Sequence, residues 1–247
     1  MEVHHHPKVE KKKFKEYFLE FIMIFLAVTL GFFAENIREY ISNKENEKVY
    51  IESLMEDIRD DVTTIKKGQK VFEQRIVFLD SLINLLGAAA ITANTSNLYY
   101  YARLATKNDP FFSNTRTFDQ LKSTGGFKLI KSKAVAESIM SYYSTIEQLK
   151  PLELTAEEGE FNEYRKIAIQ VFDARIFNEI NSASMNLVSR PPGNPPLRTN
   201  DKKILGDLAG WAHYIKNTRI GVYQYTTDVL EKGEKLIQQI QKEYPLK

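Results

Sequence analysis

The chain has 247 residues, 34 basic and 32 acidic side chains and a net charge of +2, so no global basic field marks it for nucleic acid. It contains no cysteine, which excludes disulfides, thiolate metal sites and cysteine nucleophiles. A hydrophobic share of 43% supports a packed core, and the sparse, clustered glycines and prolines suit long helices interrupted at a few points.

The first element is an apolar run. Phe21 to Ala34 carries no charge, and extension back through Tyr17 and forward to Ile37 brings it to the roughly 20 residues that cross a bilayer. Tyr17 and Lys15 on one side and Arg38 and Tyr40 on the other suit the two interfaces. A cleaved signal peptide and a buried core helix are the competing readings; phenylalanines at 32 and 33 argue against cleavage after Ala34. Lys8, Lys11, Lys12, Lys13 and Lys15 precede the run, whereas the cations after it are mixed with Glu35, Glu39, Glu45 and Glu47. The positive-inside bias therefore predicts a cytoplasmic tail over 1–16, a transmembrane helix over 17–37 and a periplasmic domain over 38–247, in an inner membrane. The tail is too short for a signalling domain of its own, and His4, His5 and His6 are a weak metal signal.

One face of the run combines a carboxyl group with small residues. Glu20, Ala27 and Ala34 recur every seven positions, with Gly31 on the same side. Such a face reads either as a seam for a second helix, with Glu20 protonatable, or as a carboxylate that snorkels to the interface.

Beyond the run, Ile51, Leu54, Ile58, Val62, Ile65, Phe72, Ile76, Leu79, Ile83 and Leu86 step by threes and fours, predicting one long helix continuous with the anchor. Short helices follow over Leu98–Leu104 and Thr117–Ser123, the second stopped by Gly125 and Gly126. Lys133–Lys150 reads as a helix before Pro151. Thr155 with Glu158 offers a capping box for a helix reaching about Asn181. Ser189–Pro196 holds four prolines, which predicts an exposed loop or linker over 189–200. A last long helix starts from Asn200 or Asp201 and ends before Pro245. The first and last long helices are expected to pair, returning the C-terminus toward the membrane. The predicted fold is all-α: a transmembrane helix continuing into an elongated antiparallel bundle, with a coiled-coil seam as the less common alternative.

The turn Thr117 to Ile130, the opening Phe18 to Asn36 and the segment Tyr50 to Asp57 together resemble an uncharacterised family of single-span envelope proteins from Bacteroidetes. The resemblance covers most of residues 14–150. It implies the anchor and a helical extracytoplasmic domain, and it brings no activity and no catalytic residues. Within the turn, Thr117 is expected to cap the short helix, Phe118 and Leu121 to bury, and Gly125 or Gly126 to take positive φ. A structural corner is one reading; a small-ligand or anion site using Arg116, Lys122, Lys128 and the amides of Gly125 and Gly126 is the other.

No phosphate loop, zinc-protease or hydrolase motif is present. His213 beside Trp211 reads as structural, and Glu153, Glu157, Glu158 and Glu160 as a solvated face. The expectation is a non-enzyme without metal or cofactor: a membrane-anchored scaffold or accessory subunit of an envelope complex. Its partners are the lipid bilayer and itself or another membrane protein, with no nucleic acid. Two readings stand beside it, a ligand-sensing bundle serving a separate signalling partner and a stator-like subunit of an ion-driven machine using Glu20.

Overall fold

The computed structural model describes residues 13–89, 91–107, 109–152, 154, 157–181 and 188–245. The lysines before Lys13, the three tail histidines, Glu153, Thr155 with its capping box and the side chain of Glu157 lie outside the described residues. Seven α-helices are present among those residues: α1 Phe14–Leu86, α2 Thr95–Ala105, α3 Arg116–Thr124, α4 Lys133–Pro151, α5 Glu157–Val171, α6 Ala174–Ile180 and α7 Lys202–Glu243. Two 3₁₀ turns, Ile91–Asn94 and Gly126–Leu129, and one isolated bridge between Asn181 and Val188 complete them. The fold is all-α.

The chain divides into two units between Tyr50 and Ile51. In the first, α1 is long and apolar enough to cross a membrane. Its most apolar 18-residue window has a mean hydropathy of 2.1, and 0% of it is buried within the chain. Phe18, Phe21, Ile24, Phe25, Phe32 and Phe33 all stand exposed. A core helix would have been covered, and among the described residues nothing buries this run.

The second unit is a bundle built on the antiparallel pairing of α1 with α7. Lys66 meets Glu234, Gln69 meets Thr227, Glu73 meets Tyr223 and Asp80 meets Lys216, so numbers rise along one helix as they fall along the other. On the opposite side of α7, Ser138 bonds Gln239, Thr145 bonds Lys232 and Glu160 bonds Thr218. Thus α4 and α5 follow one another along α7 and together form the third rod.

The buried positions of α7 alternate three and four residues apart without exception: Leu205, Leu208, Ala212, Ile215, Arg219, Val222, Thr226, Val229, Gly233, Leu236 and Ile240. That period of 3.5 is the coiled-coil period. The buried face of α1 keeps it too, and this moves the seam by one residue from the sequence expectation. Arg75 and Leu82 are buried where Ile76 and Ile83 were expected, and those two isoleucines are only half-buried. Arg75 is tolerated at 7% exposure because its guanidinium pairs with Asp109. At Gly233 the helices pack closely: an added Cβ would lie 2.9 Å from Val62 Cγ2 and 3.2 Å from the Tyr142 ring.

Local signals explain the helix ends. Asp201 caps α7, its carboxylate accepting from the amides of Lys203 at 2.8 Å and Ile204 at 3.3 Å. Ser132 caps α4 by accepting from the Val135 amide at 3.1 Å. The single helix expected to reach Asn181 is instead two, α5 and α6, and the cause is tertiary. The Arg198 guanidinium occupies the Ile169 carbonyl, and the Arg198 amide donates to the Val171 carbonyl at 2.9 Å. These carbonyls are the acceptors that a continuing helix would have used. The freed Asp173 amide donates to the Tyr99 hydroxyl at 3.0 Å, and the Asp173 carboxylate caps α6 through the Arg175 amide at 2.8 Å.

The Pro-rich loop is therefore no free linker. Tyr99 donates to the Pro196 carbonyl at 3.0 Å, Ser96 donates to the Pro191 carbonyl at 2.8 Å, and the Arg190 guanidinium lies 4.2 Å over the Tyr100 ring. Pro191 is buried, although most of the loop's other residues are exposed or half-buried.

Candidate functional site

The sequence nominated two places. The first is the face of α1 carrying Glu20, Ala27, Gly31 and Ala34. Ala27, Gly31 and Ala34 are exposed, Glu20 is half-exposed, and a Cβ added at Gly31 would meet no atom within 4 Å. Among the described residues nothing covers the small residues, so this surface is available to lipid or to another helix.

The second is the turn around Gly125. Here the structure replaces one expected role and adds residues that the sequence reading did not single out. Helix α3 begins at Arg116 after Thr115, so Thr117 is its second residue and not its cap. The Thr117 hydroxyl instead donates to Asp57 of α1 at 2.5 Å, and the Thr117 amide donates to the same oxygen at 3.2 Å. Arg116 bonds the other oxygen of Asp57 at 3.1 Å. Asp57 is 0% exposed, so a carboxylate from a distant helix caps α3 and faces the positive end of its dipole.

One helical turn along α1, Asp61 holds the segment just before α3. It accepts from the Ser113 hydroxyl at 2.5 Å, the Asn114 amide at 2.8 Å and the Tyr142 hydroxyl at 3.0 Å. Tyr143 donates to the Asn114 carbonyl at 3.1 Å and stacks on Phe118 with ring centres 4.2 Å apart. Spacing of four residues puts both carboxylates on the core-facing stripe of α1, among Leu54, Ile58 and Ile65.

Burial raises the Asp61 carboxyl above the ordinary aspartate value. Its three donors oppose that rise, and the Asp57 charge adds to it. Burial, reinforced by Asp61, pushes the Tyr142 and Tyr143 phenols far up, which keeps both protonated as donors. Each oxygen of the pair is satisfied by the chain itself. The arrangement fixes residues 113–117 to α1 and neutralises two buried charges with matched donors.

At the other end of the turn Gly125 takes φ +70 and its amide donates to the Leu121 carbonyl, while the Lys128 amide donates to the Gly125 carbonyl. Gly126 is buried, and a Cβ there would lie 2.8 Å from Leu121 Cδ2. Of the cations assigned to an anion site, Arg116 is engaged with Asp57, and Lys122 and Lys128 face solvent. Two of the turn's amides thus close the turn, and Arg116 already has a carboxylate partner.

Glu160 departs from the solvated face assigned to it. It is half-buried, it accepts from the Thr218 hydroxyl at 2.7 Å, and burial raises its carboxyl; Glu158 is exposed as expected. His213 is exposed and lies 3.0 Å from the Asn217 amide nitrogen. The signal for Asp57 and Asp61 was present in the sequence as two carboxylates inside an apolar stripe. What was missing was their partners, more than fifty residues away. Comparison of the chain with family models, with curated proteins and with solved structures returns no match.

Proposed function

We propose that the protein is a non-enzymatic, membrane-anchored scaffold or accessory subunit of an envelope complex, spanning an inner membrane once with its N-terminus in the cytoplasm. The observation that carries this reading is the apolar window of α1, none of which is buried among the described residues. An exposed run of phenylalanines and isoleucines is costly in water at about 25 cal/mol per Å² and needs lipid or another protein around it. The small-residue face at Ala27, Gly31 and Ala34 suits close helix approach, and so favours self-association or a partner span. The resemblance of residues 14–150 to single-span envelope proteins agrees with this.

Two measurements test it. The chain has no cysteine, so single cysteines report sidedness cleanly. His213→Cys in intact spheroplasts is expected to react with an impermeant maleimide, and Lys13→Cys only after lysis; the reverse pattern overturns the topology. The native mass of the protein extracted gently from its membrane is expected to exceed one chain, through added copies or a stoichiometric second protein. A monodisperse monomer overturns the scaffold.

A further inference from the structure

Helices α2, α5 and α6 border an open cleft of about 350 Å³ that no role above uses. It is at the lower end of the roughly 300–1,000 Å³ range typical of small-ligand sites. Its floor is apolar and is left open by short side chains: Ala102 of α2 and Ala168 of α5 are both nearly fully buried, and Ala174 opens the α6 side. Tyr164 and Phe177 form aromatic walls. Tyr164 is 2% exposed, and its hydroxyl is engaged by the Ala102 carbonyl at 3.3 Å, so what it offers the cleft is the edge of its ring.

The rim is cationic. Arg103 follows Ala102 and Arg165 follows Tyr164, so each guanidinium stands one residue from the floor, on the solvent side. Arg103 is fixed by donating Nε to the Asn181 side chain at 3.0 Å, and Arg165 lies 5.5 Å over the Phe161 ring. A guanidinium held by one nitrogen or by its face still carries donors at its other end in a fixed fork. Asn178 adds a carboxamide, and no carboxylate is among the described residues that line the cleft.

We propose that this cleft binds a small organic anion, a carboxylate or phosphate monoester carried on a short apolar body. The two arginines take the anionic group and the Tyr164–Phe177 walls take the body. The alanines are what make the space: larger side chains at 102, 168 and 174 would close it.

The test uses the full chain in lipid nanodiscs, with empty nanodiscs as blank, and fluorine NMR of 4-fluorophenylacetate against its uncharged twin, 4-fluorophenylacetamide. The acid is expected to bind at least tenfold more tightly than the amide. Arg103→Gln with Arg165→Gln is expected to weaken the acid at least tenfold. Ala174→Phe, which keeps both arginines and fills the cleft from its exposed edge, is expected to abolish binding. Inorganic phosphate at equal concentration is expected not to displace the acid. Equal binding of acid and amide, wild-type binding by both variants, or no binding up to millimolar concentration overturns the proposal. Full displacement by phosphate overturns its apolar half. Should the double arginine variant fail to fold, the acid–amide comparison and Ala174→Phe decide alone.

Discussion

Thr117 and Asp57 stand 60 residues apart in sequence, and the threonine gives the aspartate both its hydroxyl and its amide hydrogen. The segments Tyr50 to Asp57 and Thr117 to Ile130 are therefore joined by direct contact at this pair. The contact makes α3 a helix capped from outside itself. It gives the Thr-Phe-Asp-Gln-Leu-Lys-Ser-Thr-Gly stretch a physical role as the clip that holds the loop before it against α1.

Removing Asp57 leaves buried donors without an acceptor, whereas removing Arg116 leaves the Thr117 cap in place and takes away only the partner of Asp57 Oδ1. Asp57→Ala is expected to cost about 3 kcal/mol of stability in chemical denaturation. Arg116 is 73% exposed, and Arg116→Ala, which unpairs one buried carboxylate oxygen but keeps the cap, is expected to cost about 1 kcal/mol, less than Asp57→Ala. Equal losses would mean that the ion pair, and not the cap, carries the clip.

Asp61 makes stability depend on pH in a defined direction. Its folded value is raised by burial, so between the ordinary aspartate value of about 3.9 and the raised value the folded chain holds a proton that the unfolded chain has lost. Its contribution to stability is complete below that window and is lost as pH rises through it. Wild type measured against Asp61→Asn is expected to lose denaturation midpoint from about pH 4 upward, with the difference levelling once Asp61 is ionised. A difference that grows in favour of wild type as pH rises contradicts the assignment.

Two glycines of α7 are expected to respond with opposite signs. Gly210 has open space around it, so Gly210→Ala should stabilise by about 0.5–1 kcal/mol through helix propensity. At Gly233 the new methyl meets Val62 and Tyr142, both packed in the seam, and Gly233→Ala should destabilise by about 1 kcal/mol despite the same propensity gain. Thermal melts of the two variants side by side read the sign directly.

Gly125 tests backbone and not packing. Nothing lies within 4 Å of its missing Cβ, but φ is +70. Gly125→Ala is expected to cost about 1 kcal/mol, and Gly125→Asn less, because asparagine tolerates the left-handed region better. Equal effects of the two would place the cost elsewhere than in φ.

Much of this architecture was legible in the chain. The uncharged run to Ala34, the three–four spacing after Ile51, Asp201 before α7 and Gly125 after α3 are local signals, and local signals act within a few residues whatever surrounds them. The exchange of Ile76 and Ile83 for Arg75 and Leu82 was not legible. A drift of one position over several turns depends on how α1 wraps α7, and a buried arginine needs the Asp109 partner that only the folded chain supplies. Nor did the sequence reveal that α5 stops at Val171. Helical acceptors there are taken by Arg198 from a loop, and hydrogen bonds of that kind are indifferent to sequence distance. By itself, then, the sequence determined the all-α class, the long first and last helices, the Asp201 cap and the apolar run of α1, because periodicity, turn chemistry and charge act locally. The tertiary structure alone decided that Asp57 and Asp61 serve the turn at 113–117, that the Pro-rich loop is pinned to α2 and α5, and that three alanines on separate helices leave a cleft rimmed by Arg103 and Arg165. Each of these depends on groups brought together only when the apolar stripes pack.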